Sequence, residues 1–233
     1  ALEEGRPTLF NAGYPHIFDM RTAETLTGSA ENGLLQGAGG EMARYYGLPS
    51  VAWMSTEAVV PDAQASFEKL LTGLQHAQSG VNVIWGVGNL ESTLTISPVQ
   101  AVIDNEIAKS ICRVAAGIRF DDETIAAGTI REMGQRGEYL SAEHTARHYR
   151  AEVLDSHLWN RNRRARWEET GGLDVTARAA QVVKERLARD ARKNEPVLGQ
   201  KTLRRLKAIE ARGLAPRARS SFSRVSWTIC IRY

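Results

Sequence analysis

The sequence predicts an α/β fold: a short parallel sheet in the first half, followed by a layer of helices. Three short β-like runs each precede a segment of helical spacing, and the β pattern vanishes after Gly117. A third sign is Val81–Val87, nearly continuous in apolar residues, as a parallel strand covered on both faces would be.

In chain order, Thr8–Ile17 reads as a strand with its following loop. Ala30–Tyr46 has helical spacing and sets Leu34, Leu35, Met42 and Tyr45 on related faces. Ser29 supplies a capping oxygen and Gly47 closes the helix. The glycines at 37, 39 and 40 imply close helix–sheet packing. Ser50–Ser55 is the second strand, and Pro61 opens a helix to about Gln78. After the strand Val81–Val87, Ser97-Pro98 opens a long helix through Val114. Asp121–Met133, Ser141–Leu154, Asn160–Glu169 and Val175–Asn194 then read as helices, with breaks at Gly171-Gly172 and Pro196. The last of these is amphipathic and is expected on the outside. Three parallel strands cannot close a barrel, which needs about eight, and both sheet edges stand open. We therefore expect an upstream portion, or a second copy, to supply the rest.

Composition excludes several classes. With 42% apolar and 24% charged residues, the chain is an ordinary globular one. No apolar run is long enough to span a bilayer, and the opening residues lack the basic and apolar regions of a signal peptide. Cys112 and Cys230 make neither a disulfide framework nor a metal knuckle, so a reducing, cytoplasmic setting is expected. Net charge is +3, yet from Gly199 to Tyr233 nine Lys or Arg stand against one Glu, which leaves the body acidic. Arg217–Arg224 could touch an anionic surface, but a solvated tail is the simpler reading and nucleic acid is not an expected partner. Residues 214–233 are read as a basic tail, disordered or non-native.

The stretches Tyr45-Tyr46-Gly47-Leu48-Pro49-Ser50 and Pro61-Asp62-Ala63-Gln64-Ala65-Ser66-Phe67-Glu68-Lys69 resemble the trimethylamine methyltransferase family. So do Leu90-Glu91-Ser92, Ile103–Ile107, His144–Glu152 and Trp167–Gly172, in order along the chain from about Pro7 to about Gly213. The resemblance implies the C-terminal part of a TIM (β/α)₈ barrel. About three βα units would fill 1–117, with 118–213 a helical C-terminal layer of the same domain. It implies an enzyme that moves a methyl group from trimethylamine or a quaternary amine such as glycine betaine to the cobalt of a corrinoid. That cofactor is carried by a partner protein rather than bound directly. Founding members carry pyrrolysine, which the resemblance places on or near Val51–Thr56; only standard residues stand there, so the resemblance implies the branch without it. A homo-oligomer without membrane contact is expected. The alternative is an inactive fragment that oligomerises through its open sheet edges.

A quaternary ammonium accepts no hydrogen bond, so its recognition rests on aromatic faces and nearby carboxylates. The strand ends offer Tyr14, Trp53 and Trp85 as aromatics, with Glu57 and Glu91 as acids, while His16 could orient a substrate carboxylate. Each has a plainer role: core packing for the tryptophans, loop bracing for Glu91, loop packing for His16. No residue is assigned as catalytic. Asp104 and Glu106 lie inside the helix from Pro98 and read as structural ion pairs. His144, His148 and Glu152 share a helix face at a spacing that can hold zinc, but no glutamate directly follows the first His, and no metal is expected. Gly86-Val87-Gly88 lacks a third glycine and an immediate helix, so it is not a dinucleotide loop.

Overall fold

The computed structural model describes residues 7–13, 15–191 and 199–214. Its first part runs Phe10–Asn11 (β1), Ile17–Phe18 (β2), Thr25–Leu26 (β3), Ala30–Tyr45 (α1), Ser50–Trp53 (β4), Ala63–Gln78 (α2), Val83–Trp85 (β5), Asn89–Leu90 (β6), Thr95–Ile96 (β7) and Pro98–Ala115 (α3). The parallel sheet has the order β1-β4-β5, with Asn11 beside Val51, Val51 beside Val83, and Trp53 beside Trp85. β2–β3 and β6–β7 are small antiparallel pairs that the sequence reading does not contain. Two-residue strands leave too little pattern to read.

Local chemistry sets the helix ends. Ser29 Oγ accepts from Asn32 N at 3.2 Å, Asp62 Oδ1 from Ala65 N at 3.1 Å, and Ser97 Oγ from Gln100 N at 3.2 Å. At the end of α1, Gly47 takes φ +67° while Leu48 N returns to Ala43 O at 2.9 Å.

The buried face of α1 is not the apolar one. Asn32, Gly33, Gln36, Gly37, Gly40 and Ala43 are buried, whereas Leu34, Leu35, Met42 and Tyr45 are exposed. Glycine decides this by allowing a close approach. A Cβ on Gly39 would lie 2.9 Å from Ala12 Cβ, and one on Gly40 would lie 2.8 Å from Val81 Cγ2.

The helices cover one face of the sheet. Ala12, Ala52 and Val81 cluster there with Phe10 and Ile84, and Met54 joins Ile103, Ile107 and Ile111 of α3. Side chains alternate along a strand, so Trp53 and Trp85 stand on the other face. On that same face Val83 is 47% exposed. The expectation that Val81–Val87 is a nearly fully covered strand is therefore corrected: the strand is Val83–Trp85, with Val83 exposed and Ile84 and Trp85 half-buried.

A charged pair lies inside this layer. Lys69 and Asp104 are fully buried and 2.6 Å apart. Lys69 Nζ donates also to Gly86 O at 2.9 Å and Asn89 Oδ1 at 2.7 Å, while Asp104 accepts from Gly88 N and Gln100 Nε2, each at 2.7 Å. Every proton of the ammonium has an acceptor, the condition under which a buried charge is tolerated. Asp104 and Glu106 thus do form ion pairs, Glu106 with Lys109 at 2.7 Å.

Beyond α3 come Asp122–Ile125 (α4), Ala127–Met133 (α5), Glu143–Glu152 (α6), Arg164–Glu169 (α7), Val175–Ala191 (α8) and Gln200–Leu214 (α9). The single helix expected over Asp121–Met133 is broken at Ala126, which has φ 52°. The helix expected from Asn160 starts at Arg164, because Asn160 Oδ1 accepts from Asn162 N at 3.1 Å and holds a turn there. No helix was expected at α9, whose exposed Leu203, Leu206 and Ile209 follow a helical period among basic residues. By its contacts the chain divides into units 1–187 and 188–233. The tail expected over 214–233 lies, apart from Leu214, outside the described residues. No helix among the described residues is long and apolar enough to cross a membrane.

Candidate active site

The C-terminal ends of parallel strands are where side chains and loops meet without a covering helix. Here β4 ends on Trp53, β5 ends on Trp85, and the loop after β1 carries His16. The two indoles meet edge to face, with centroids 5.0 Å apart at 85°, and His16 stands 6.0 Å from Trp53 at 68°. Both indole Nε1 atoms and His16 Nδ1 are buried without a hydrogen-bond partner among the described residues. Buried polar atoms are ordinarily paired, so three orphans in one ring cluster point to a missing acceptor or donor. Tyr14 lies outside the described residues.

Two bonds set Trp53 in place. Its backbone N–H donates to Gln36 Oε1 at 3.1 Å, and Met54 N closes the ladder on Trp85 O at 2.9 Å. The indole edge lies against Gly13, where a Cβ would come within 2.8 Å of Nε1.

Glu57 is engaged elsewhere. Its Oε1 accepts from Thr27 N, from Gly28 N at 2.8 Å and from Thr27 Oγ1 at 2.8 Å, so it braces the entry to α1. Glu68 on α2 supports the same loop, accepting from Thr56 Oγ1 at 2.6 Å and from Glu57 N at 3.0 Å. Glu91 sits at the tip of the β6–β7 hairpin, half-buried, its Oε2 accepting from Thr95 Oγ1 at 2.8 Å. That tip is docked on the loop after β4: Glu91 N donates to Ala58 O and Ser92 N to Thr56 O, both at 2.9 Å. The base of the hairpin is held by the Lys69–Asp104 pair. Gly86 turns there at φ +109°, with a backbone carbonyl (Met54 O) where a Cβ would stand. Burial pulls the Lys69 pKa below its ordinary value, and the Asp104 carboxylate opposes that shift.

The structure thus gathers His16, Trp53 and Trp85, while Glu91 sits on the hairpin docked against the loop after β4 and Glu57 is bound to backbone. The sequence reading missed Glu68, Thr27, Ser92 and Lys69. For Lys69 a signal existed: a charged residue between the buried positions Ala65 and Thr72 of α2.

Two other features have their groups already committed. His144 Nε2 contacts Glu123 O at 2.8 Å, His148 Nε2 contacts Glu123 Oε1 at 3.1 Å, and Glu152 pairs with Arg113 at 2.7 Å. No cluster of three metal-ligating side chains occurs among the described residues. A hollow of about 440 Å³ lies between the 155–162 loop, α7 and α8. Trp167 Nε1 there donates to Leu173 O at 2.9 Å and Arg178 Nε to Leu158 O at 2.9 Å. None of its described lining side chains carries an unpartnered buried polar atom.

Comparison with known proteins gives this geometry a family. Residues 2–215 match the family model described as trimethylamine methyltransferase (MTTB). A trimethylamine methyltransferase of Desulfitobacterium hafniense (strain DSM 10664 / DCB-2) is 38% identical over 177 residues, 76% of this chain and 35% of that protein. One from Methanosarcina barkeri (strain Fusaro / DSM 804) is 35% identical over 173 residues, 72% of this chain and 34% of the relative. A glycine betaine methyltransferase of Desulfitobacterium hafniense (strain Y51) is 28% identical over 169 residues, 72% of this chain and 35% of the relative. The chain spans about a third of the length of these curated relatives. The family match nonetheless runs through both the sheet and the helical layer, and on that ground the chain belongs to the trimethylamine methyltransferase family.

Proposed function

We propose that this chain carries the substrate-facing strand ends of a methyltransferase that passes a methyl group from a methylated amine to a corrinoid protein. The observation that supports it is the half-buried Trp53–Trp85 pair, on the sheet face opposite Ala52 and Met54, with His16 beside it and three ring nitrogens unpartnered among the described residues. In a core, indole edges find acceptors; among the described residues these two have none. A betaine answers both needs, since its ammonium suits an aromatic face and its carboxylate suits the indole N–H groups and His16. Trimethylamine carries no such acceptor. The name of the glycine betaine relative agrees with this choice.

The barrel reading also belongs to this proposal. It is supported by three parallel strands, each followed in the chain by a helix, by sheet edges unpaired among the described residues, and by relatives about three times as long. The corrinoid would supply the nucleophile. In this reading the Trp53 and Trp85 rings of this chain hold the ammonium. As the methyl leaves, the C–N electron pair stays on nitrogen and a neutral amine results. The positive charge is thus lost during transfer. Polarisable ring faces suit that better than a contact ion pair, which would stabilise the starting ammonium most.

Glycine betaine titrated into the purified chain is expected to shift the Trp53 and Trp85 indole N–H resonances, assigned with Trp53→Phe and Trp85→Phe. Trp53→Leu should weaken binding roughly tenfold, the order of one desolvated cation–π contact. Shifts that follow sodium acetate equally well would remove the ammonium from the argument, and no shift with either would overturn the site. A second reading, an interaction module, is favoured by the exposed Val83 and by Leu34, Met42 and Tyr45 on α1. Betaine-induced indole shifts in a chain that light scattering shows to be monomeric would remove this second reading.

A further inference from the structure

Glu91, Ser92 and Thr93 take φ values of 50°, 49° and 79°, three successive non-glycine residues in the left-handed region. L-residues pay a steric cost there, and a β-branched threonine pays most. Such a turn persists only where its surroundings over-determine it, and these surroundings do. Lys69 binds Gly86 O and Asn89 Oδ1 at the hairpin base, Ser97 N returns to Gly88 O at 2.8 Å, and the tip is tied to Ala58 O and Thr56 O. Ser92 Oγ lies 3.5 Å from Glu57 Oε1 and 3.4 Å from Thr27 Oγ1. Glu57, in the loop at 55–58, therefore reaches two other strand-end loops, at Thr27–Gly28 and at Ser92. Thr93 is exposed, and its side chain has no hydrogen bond among the described residues. Nothing in its own contacts rewards the strain.

We infer that the left-handed turn and the Glu57 carboxylate form one preset clasp that fixes Glu91 and the rim of the aromatic site. Ser92, Thr93 and Glu57 are then positioning residues, not substrate ligands. The inference rests on the substrate reading above. It adds which residues hold the rim and how strain sets it.

Thr93→Gly and Glu57→Gln test it in the full chain. Glycine relaxes the turn, so Thr93→Gly should raise the unfolding midpoint by about 2–4 °C, the shift usual for one relieved strain in a chain of this size. The same variant should bind glycine betaine about fivefold more weakly. A gain in stability with a loss of affinity is what a merely structural turn does not give. Glu57→Gln should speed amide exchange at Thr27 and Gly28, which it touches, and also at Ser92, whose N–H it does not touch. Thr93→Gly with raised midpoint and unchanged affinity overturns the inference, as does Glu57→Gln exchange confined to Thr27 and Gly28. A parent chain that binds no betaine overturns the substrate reading and, with it, the positioning role. Exchange that still spreads to Ser92 would then preserve the clasp alone.

Discussion

The βα layer up to Gly117 and the helical segment that follows it are held by different means. The first contains every buried charge described above and a continuous core through Met54, Ile103, Ile107 and Ile111. In the second, no described residue from Ile118 to His157 is buried, and Leu158 and Ala179 are buried by joining the core of the first. Its ion pairs, among them Arg119–Asp121 and Arg147–Glu123, lie at the surface, and Ile118, Phe120 and Leu140 are each at least 85% exposed. The first region is determined by what water cannot reach, the stretch 118–157 by local capping and solvated charge. Identical chemistry should therefore respond very differently to mutation in the two places.

Lys69 offers the largest effect. Lys69→Met removes three donors at once and leaves the Asp104 carboxylate buried without its counter-charge. Loss of one partner of a buried pair costs about 3–5 kcal/mol, so chemical denaturation should show a loss in that range. The β6–β7 hairpin should also loosen, read as faster amide exchange at Asn89 and Glu91. A loss below about 1 kcal/mol would mean that the pair is hydrated in solution and that the contrast between the regions is overstated.

His76 sharpens the same contrast through pH. It is fully buried on α2, and neither ring nitrogen has a partner among the described residues. Burial lowers its pKa from 6.5 to about 4. As pH falls, the unfolded chain takes up this proton first, so stability declines between pH 6.5 and about 4 and is unaffected above that window. The full decline from this one group is roughly 3 kcal/mol at 1.36 kcal/mol per unit. His76→Leu should flatten the profile there. A profile equally steep in the variant would move the effect to other groups.

How far these features can be read in the sequence follows from the same distinction. Helix starts at Ser29 and Ser97-Pro98 are local events, and the order of strands and helices up to α3 is legible from them. What the helix α1 buries is not legible. Its apolar residues advertise one face while glycines and amides make the contact, because backbone approach outweighs side-chain hydrophobicity there. Lys69 meets Asp104 across 35 residues, and no local pattern announces that pairing. Trp53 and Trp85 were legible as candidates because both close a β-like run. Whether they stand in the core or on an open face needed the register. Glu57 was legible as an acid near the site, but its bonds to Thr27 and Gly28 were not.

Helix caps give an intermediate effect with opposite signs in the two regions. Ser29→Ala should cost about 1 kcal/mol, because Asn32 N loses its acceptor. α6 starts at Ala142 without a side-chain cap, so Ala142→Asp should stabilise by about 0.5–1 kcal/mol. Thermal unfolding of both variants checks the pair. Equal and opposite shifts would show that the second region has unused capping capacity, and a null result at Ala142 would show that α6 frays independently of global unfolding.

Arg147 marks the smallest effect. It reaches Glu143 at 2.8 Å and Glu123 at 3.1 Å, and His148 meets the same Glu123 oxygen at 3.1 Å. The bonds from His148 and then Arg147 hold the Glu123 carboxyl below its ordinary pKa. A lowered carboxylate stabilises the fold above its unfolded pKa, and that contribution disappears as pH falls through the folded value. All three groups are in contact with solvent, so salt screens them and side-chain entropy opposes them. Arg147→Ala should therefore leave the unfolding midpoint within experimental scatter in 0.5 M salt (roughly a 4 Å screening length). Lys69→Met makes the comparison in the buried layer, where added salt should restore nothing. A salt-resistant loss at Arg147 would instead require that this surface be covered in solution. The exposed Ile118, Phe120 and Leu140 would then be the first residues to examine for what covers it.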